Sequence, residues 1–91
     1  MPFSPAMKAT RYFDEQVLRK RPYLRRESCA RIVARPIRQE RQHQERQPDG
    51  RIRHWGYVDE LGGRALRVIT LADGITVHNA FPDRDFEEEP T

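Results

Sequence analysis

A chain of 91 residues is long enough for one domain and too short for two, and a domain of this size buries roughly 60 to 65 per cent of its unfolded surface. Hydrophobic residues make up 36% of the sequence and charged residues 34%, which indicates one thin core and excludes a membrane-embedded chain. No apolar run approaches the roughly 20 residues of a transmembrane helix, and the lone Cys29 excludes an internal disulfide. We therefore expect a cytoplasmic protein without a membrane partner.

The net charge of +3 conceals an uneven distribution of charge along the chain. Residues 1–53 hold fourteen Arg or Lys against six Asp or Glu, whereas residues 54–91 hold three against eight. Fifteen of the seventeen basic residues are Arg, which binds phosphate through two parallel hydrogen bonds. The basic half favours a polyanionic partner such as RNA. A genome rich in G and C explains the same excess of Arg without any function.

A first helix is predicted near the N-terminus. Phe13 and Val17 are spaced by four residues, Thr10 is suited to cap the helix, and basic residues complement its last turn. We therefore expect a helix over residues 10–20. The preceding residues 1–9 are interpreted as a flexible N-terminal extension.

A second helix is predicted directly after the first. Cys29 and Ile32 share one face at helical spacing. Pro36 has no backbone N–H and ends the pattern. The second helix is therefore expected over residues 26–35.

Strands and turns make up the rest of the predicted domain. The polar segment 37–47 contains QERQ twice and is interpreted as a strand with a solvated loop, or alternatively as a mobile basic arm. Three further runs with Gly-containing turns between them predict an antiparallel meander, over residues 51–58, 64–71 and 75–81. The sequence predicts an α+β domain over residues 10–86, with two N-terminal helices packed on a four-stranded antiparallel sheet, and an acidic tail over 87–91.

Strand pairing across the two short turns assigns residues to the two faces of this sheet. We pair Val58 with Arg64 and Leu71 with Ile75. The face with the larger apolar side chains is assigned to the helices, and it carries Arg53, Trp55, Tyr57, Arg67, Ile69, Leu71, Ile75, Val77, Asn79 and Phe81. The face expected to be open carries Ile52, His54, Val58, Leu66, Val68, Thr70, Thr76, His78 and Ala80.

Two histidines on the face expected to be open suggest acid–base chemistry. In the predicted register His54 and His78 flank Val68 from the two neighbouring strands, about 10 Å apart at the backbone. Cleavage of RNA through its 2′-hydroxyl needs a base, an acid and a cation at the phosphate, and we assign these catalytic roles to the two histidines and Arg84. The alternative is that all three are ordinary sheet and loop residues. No metal-ligand spacing is present, so neither a metal nor another cofactor is predicted.

Nucleic-acid contacts are predicted from two groups of basic residues: Arg19, Lys20 and Arg21 at the end of the first helix, and Arg51, Arg53 and Arg67 on the strands. Arg51 and Arg53 alternate with Trp55 and Tyr57, as in surfaces that stack bases and bind phosphates. Aromatic residues at this spacing are more often part of a core, because the sheet needs them against the helices.

The order of elements and several short motifs resemble a known family. The motifs are Tyr12-Phe13 with Val17, Pro22-Tyr23-Leu24, Pro36, Asp49-Gly50-Arg51, Trp55-Gly56, Arg67-Val68-Ile69 and Asn79-Ala80-Phe81-Pro82. Over residues 8–86 this arrangement is similar to the small RelE/BrnT-like domains of the barnase, EndoU, colicin and RelE toxin superfamily. The resemblance implies a helix–helix–sheet fold, a metal-independent toxin-like endoribonuclease and an antitoxin-like protein partner. The alternative function is a non-catalytic protein-interaction module of the same fold.

Overall fold

The computed structural model describes residues 7–41 and 50–87, in which two helices precede an antiparallel sheet. Helix α1 covers residues 11–20, with a π-helical turn at Phe13–Val17 and an α-helical turn at Leu18–Lys20, and helix α2 covers Arg26–Ala34. The strands are β1 at Arg38–Arg41, β2 at Ile52–Val58, β3 at Arg64–Thr70 and β4 at Val77–Pro82, with a 3₁₀ turn at Asp59–Leu61. The strands pair in the order β1-β2-β3-β4, each antiparallel to its neighbour. The predicted fold class and hairpin order are confirmed.

Side chains and turns fix the ends of the helices. The hydroxyl of Thr10 accepts a hydrogen bond from the backbone N–H of Phe13 at 3.1 Å, which is the predicted cap of α1. Helix α2 is tied to α1 by an ion pair between Arg26 and Asp14. It is tied to the 3₁₀ turn by a hydrogen bond from Ser28 to Glu60. These contacts hold the helix pair against the start of the sheet.

The segment before α1 belongs to the fold, although we predicted it as part of a flexible extension. Ala9 forms a parallel bridge with Val77 at the start of β4. The backbone N–H of Val77 donates to the carbonyl of Lys8, and the N–H of Thr10 donates to the carbonyl of Val77, both at 2.9 Å. Edge strands expose unpaired backbone groups, and this short segment satisfies those of Val77 at the start of β4. The domain therefore begins before residue 10.

The helices cover the sheet face that the sequence predicted to be open. The core joins both helices to the strands and consists of Phe13, Val17, Leu24, Cys29, Ile32, Val58, Leu66, Val68, Val77 and Ala80. Trp55 and Tyr57 point to the opposite face. The predicted assignment of faces is therefore wrong, because small and β-branched side chains let α2 lie directly on β2. At Gly56, an added Cβ would lie 2.6 Å from Cγ1 of Ile32.

The pairing of β2 with β3 follows the prediction, but the turn between β3 and β4 does not. Val58 pairs with Arg64 as expected. The N–H of Leu71 donates to the carbonyl of Thr76 at 2.9 Å instead of pairing with Ile75. One carboxylate oxygen of Asp73 accepts the backbone N–H groups of residues 75 and 76, both at 2.8 Å, and this Asx-type turn makes the loop one residue longer.

An irregularity in the β3–β4 ladder changes the register further. Thr70 pairs with Val77, whereas Ile69 pairs with Asn79, so that β4 has one extra residue at His78. Val68 consequently lies opposite Ala80 and not opposite His78. The longer loop alone moves Val77 from the Trp55 face, where it was predicted, to the face that packs against the helices and into the core.

The buried Cys29 and the charged segments complete the description of the chain. Burial, followed by the nearby charge of Glu60, raises the pKa of the Cys29 thiol to about 12, which keeps it protonated and unreactive. Among the helices of the described residues, none has the length and apolar character needed to cross a membrane. Most of the QERQ repeat and the tail after Glu87 lie outside the described residues.

Candidate nucleic-acid interface

The sheet face left uncovered by the helices carries a row of arginine and aromatic side chains. The register places Arg38, Trp55, Arg67 and Phe81 opposite one another across the four strands. The guanidinium carbons of Arg38 and Arg67 each lie 5.5 Å from the centroid of the Trp55 ring, and that of Arg53 lies 5.7 Å away. We refer to Arg38, Arg53 and Arg67 as the arginine cluster. Three cations thus gather around one indole ring.

The members of the arginine cluster differ in their carboxylate partners. Arg67 donates to Asp83 Oδ2 from Nε at 3.2 Å and from Nη2 at 2.6 Å. Arg38 pairs with Glu40 at 2.8 Å. The Nε of Arg53 is buried and has no hydrogen-bond partner in the described part of the chain. A buried donor without a partner costs about 1–3 kcal/mol.

The segment after β4 folds back over the indole. We call residues 83–87 the C-terminal strap. Its Asp83 accepts a hydrogen bond from Nε1 of Trp55 at 2.8 Å, and its Phe86 stacks on the Trp55 ring with centroids 5.6 Å apart and an interplanar angle of 19°. Trp55 is only 4% exposed as a result. The indole therefore organises the surrounding arginines and offers little of its own surface to a ligand.

Asp83 is an ionised anchor of the C-terminal strap. Burial alone would raise the pKa of this carboxyl, but hydrogen bonds from Trp55 and Arg67 and the charge of Arg67 lower it below its ordinary value. The backbone N–H of Asp83 also donates to the carbonyl of Ala65 at 3.0 Å, which extends the ladder between β3 and β4. The first residue of the strap is thus fixed through both its backbone and its side chain.

His54 lies on the face covered by the helices and has no exposed surface. The amide of Gln39 lies 3.4 Å from Nδ1, and the hydroxyl of Thr70 lies 3.1 Å from Nε2. Because an amide nitrogen only donates, Nδ1 of His54 accepts the hydrogen bond from Gln39. The ring proton is therefore on Nε2, which donates a hydrogen bond to the hydroxyl of Thr70. Burial lowers the pKa of His54, which favours the neutral ring. This histidine is a satisfied core residue.

His78 lies at the irregular position of β4 with different partners. Its Nδ1 is 3.0 Å from the hydroxyl of Thr10, and its ring is 5.0 Å from that of Tyr12. Burial and then the charge of Arg51 lower its pKa. The prediction that His54 and His78 share an open face opposite Val68 is wrong, because the faces are exchanged and the register of β4 is shifted.

The remaining predicted residues fall into separate places. Arg84 lies in the strap and lines a cleft with Tyr57, away from the partners of both histidines. Of the predicted nucleic-acid contacts, Arg53 and Arg67 belong to the arginine cluster. Arg51 acts on His78 through its charge. The three basic residues Arg19, Lys20 and Arg21 end helix α1, which packs on the covered face.

Sequence reasoning missed Arg38, Asp83 and Phe86, which complete the surroundings of Trp55. The β1 register that brings Arg38 opposite Trp55 follows a polar segment with no apolar pattern to fix it. The sequence signal that could have predicted the C-terminal strap is a carboxylate, Asp83, and an aromatic residue, Phe86, shortly after the last strand.

Comparison with known proteins gives no identification. No family model, curated protein or solved structure matches the chain. The resemblance to RelE/BrnT-like domains therefore stays a prediction. Within the residues that the structure describes, no group of three or more His, Cys, Asp or Glu side chains is placed to hold a metal ion.

Proposed function

We propose that the uncovered sheet face binds single-stranded RNA. The observation that carries this proposal is the arginine cluster around Trp55, in which three guanidinium carbons lie 5.5–5.7 Å from the centroid of one indole ring. Guanidinium groups bind phosphate oxygens through charge-assisted hydrogen bonds, and a strand laid across the sheet would bring a phosphate to Arg53.

Aromatic surface next to the arginine cluster indicates that this face prefers single-stranded RNA to duplex RNA. Tyr57 is 42% exposed on the same face, beside Phe86 of the C-terminal strap. Proteins that bind single strands combine a basic track with aromatic rings that stack on unpaired bases. Bases within a duplex are stacked on one another and leave no face for such a ring.

The proposal is one of binding, in the cytoplasm, without a metal or other cofactor. The two histidines do not form an acid–base pair on the uncovered face. If the toxin-like endoribonuclease implied by the family resemblance is correct, we propose Arg53, Tyr57 and Arg67 on the uncovered face as the residues that cleave. An antitoxin-like partner would then compete with RNA for this face. In the alternative, a non-catalytic protein-interaction module, the same face binds a protein partner and no RNA.

Binding of a short fluorescent RNA strand, measured by anisotropy, tests the proposal. Arg53→Met keeps the side chain over the indole but removes the charge, and it should weaken RNA binding about tenfold without lowering Tm. Arg11→Met is the matched control, because the Arg11 side chain is 87% exposed on helix α1 and pairs only with Glu15 among the described residues. The control should bind like the parent.

Two results would contradict the proposal. One is equal loss of RNA affinity in Arg53→Met and Arg11→Met, which would indicate unspecific charge attraction. The other is absence of RNA binding at low salt by the folded parent protein, which would favour the protein-interaction module. Preference for the single strand over the duplex of the same sequence is expected from the exposed Tyr57.

A further inference from the structure

A cleft beside the arginine cluster has the composition of a nucleotide site. It lies between the end of β2, the start of β3 and the C-terminal strap, and it has a volume of about 280 Å³. Tyr57, Pro82 and Phe86 form its apolar walls, and Arg64 and Arg84 line it as well. Sites for drug-sized ligands are usually about 300–1,000 Å³, so this cleft suits one small ligand.

The two aromatic rings of the cleft do not stack on each other. The Tyr57 and Phe86 rings are 6.3 Å apart at an angle of 70°. One face of Phe86 is occupied by the indole of Trp55. Tyr57 retains 42% of its surface exposed. A planar base can therefore enter the cleft and contact aromatic surface without displacing the stack that holds the strap.

The charges of the cleft favour an anion next to that base. Arg64 and Arg84 are exposed, and within the described residues neither side chain has an ion pair or a hydrogen bond. The carboxylate of Asp83 also lines the cleft, but it is neutralised by Arg67. Two arginines beside an aromatic wall match the phosphate and the base of one nucleotide.

The turn between β2 and β3 borders the cleft at Gly63. Gly62 and Gly63 have φ values of +69° and +78°, and a Cβ added at either position would meet no atom within 4 Å. The turn thus places backbone without side chains next to the two arginines. A strand leaving the cleft can pass this turn.

We propose that this cleft holds one nucleotide of the RNA strand, with its base against Tyr57 and Phe86 and its phosphate bound by Arg64 and Arg84. This inference rests on the proposed function, because it assigns a position for one unit of the same ligand. It adds a site for an unpaired base to a surface whose arginine cluster binds only phosphates.

The test is a titration of the full chain with adenosine monophosphate, followed by backbone amide signals in NMR spectra. Millimolar nucleotide should shift the amides of Gly63, Ala65 and Arg84. Arg64→Ala and Arg84→Ala should each weaken binding about tenfold, whereas Arg19→Ala, a matched loss of charge on helix α1, should leave it unchanged. Phe86→Leu should weaken the binding of adenosine monophosphate roughly 5-fold to 100-fold but leave the binding of inorganic phosphate unchanged.

The outcomes separate this inference from the proposed function. If RNA binds through Arg53 but adenosine monophosphate does not shift the cleft amides, the nucleotide site is wrong and the RNA-binding function stands. If the nucleotide shifts these amides but RNA does not bind, the site stands and the proposed function fails. Identical shifts and affinity with inorganic phosphate alone would overturn the assignment of the base.

Discussion

His54 has no exposed surface, and the partners of both its ring nitrogens lie within the protein. Burial lowers its pKa below the ordinary value of about 6.5. As the pH falls below about 6.5, the unfolded chain binds a proton that the folded chain does not. We therefore expect the free energy of unfolding to decrease from that pH downward, and to level off below the pKa of the folded state.

Urea unfolding at about pH 7.5 and about pH 5.5 measures this dependence. His54→Gln should lower stability by about 1–3 kcal/mol at the higher pH, because the new side chain cannot satisfy Gln39 and Thr70 with the same geometry. It should also make stability less dependent on pH, leaving the contribution of the partly buried His78, whose pKa is lowered as well. An unchanged pH dependence would mean that His54 is not a buried neutral ring.

The contact between helix α2 and strand β2 depends on the absence of a side chain at residue 56. A Cβ there would lie 2.6 Å from Cγ1 of the buried Ile32. Gly56→Ala should therefore destabilise the fold by about 1–3 kcal/mol. Ile32→Ala removes the clashing atoms. The double variant should therefore lose less unfolding free energy than the two single variants lose in sum. Strictly additive unfolding energies would show that this contact is not the cause.

The bounds of the helices and strands could be predicted because their signals are local. Thr10 caps α1 through its own side chain, and the glycine turn between β2 and β3 ends those strands where expected. The face buried by the helices could not be predicted by size alone. Trp55 is large and buried, but it is covered by arginines and by the C-terminal strap, which lies outside the predicted strands.

The predicted pairing of the two histidines failed at the turn before β4. Asp73 accepts two backbone N–H groups there and lengthens the loop by one residue. An irregularity at residues 69 and 70 then adds one more residue on β4. Since side chains alternate with a period of two, the first shift moves Val77 to the other face, and the two shifts together place Ala80 instead of His78 opposite Val68. No residue type in this stretch specifies the irregularity.

At the scale of the whole molecule, basic groups occur on both sides of the sheet. The arginine cluster lies on the uncovered face, and Arg19, Lys20 and Arg21 lie at the end of helix α1 on the other side. Net charge alone would attract RNA to either side. Exposed aromatic rings lie near both groups, since Tyr23 follows the helix residues and Tyr57 lies beside the cluster, each 42% exposed. The arginine cluster differs in that its three guanidinium groups gather around one indole ring.

The dependence of RNA affinity on salt tests most directly which side binds. Two triple variants remove the same charge: Arg38→Gln, Arg53→Gln and Arg67→Gln from the arginine cluster, and Arg19→Gln, Lys20→Gln and Arg21→Gln from helix α1. Each lost contact with a single-strand phosphate lowers the slope of log affinity against log salt by about 0.7. The account predicts a slope about 2 units shallower for the cluster variant and a parental slope for the helix variant, provided that both variants fold. A shallower slope in the helix variant with a parental slope in the cluster variant would contradict it.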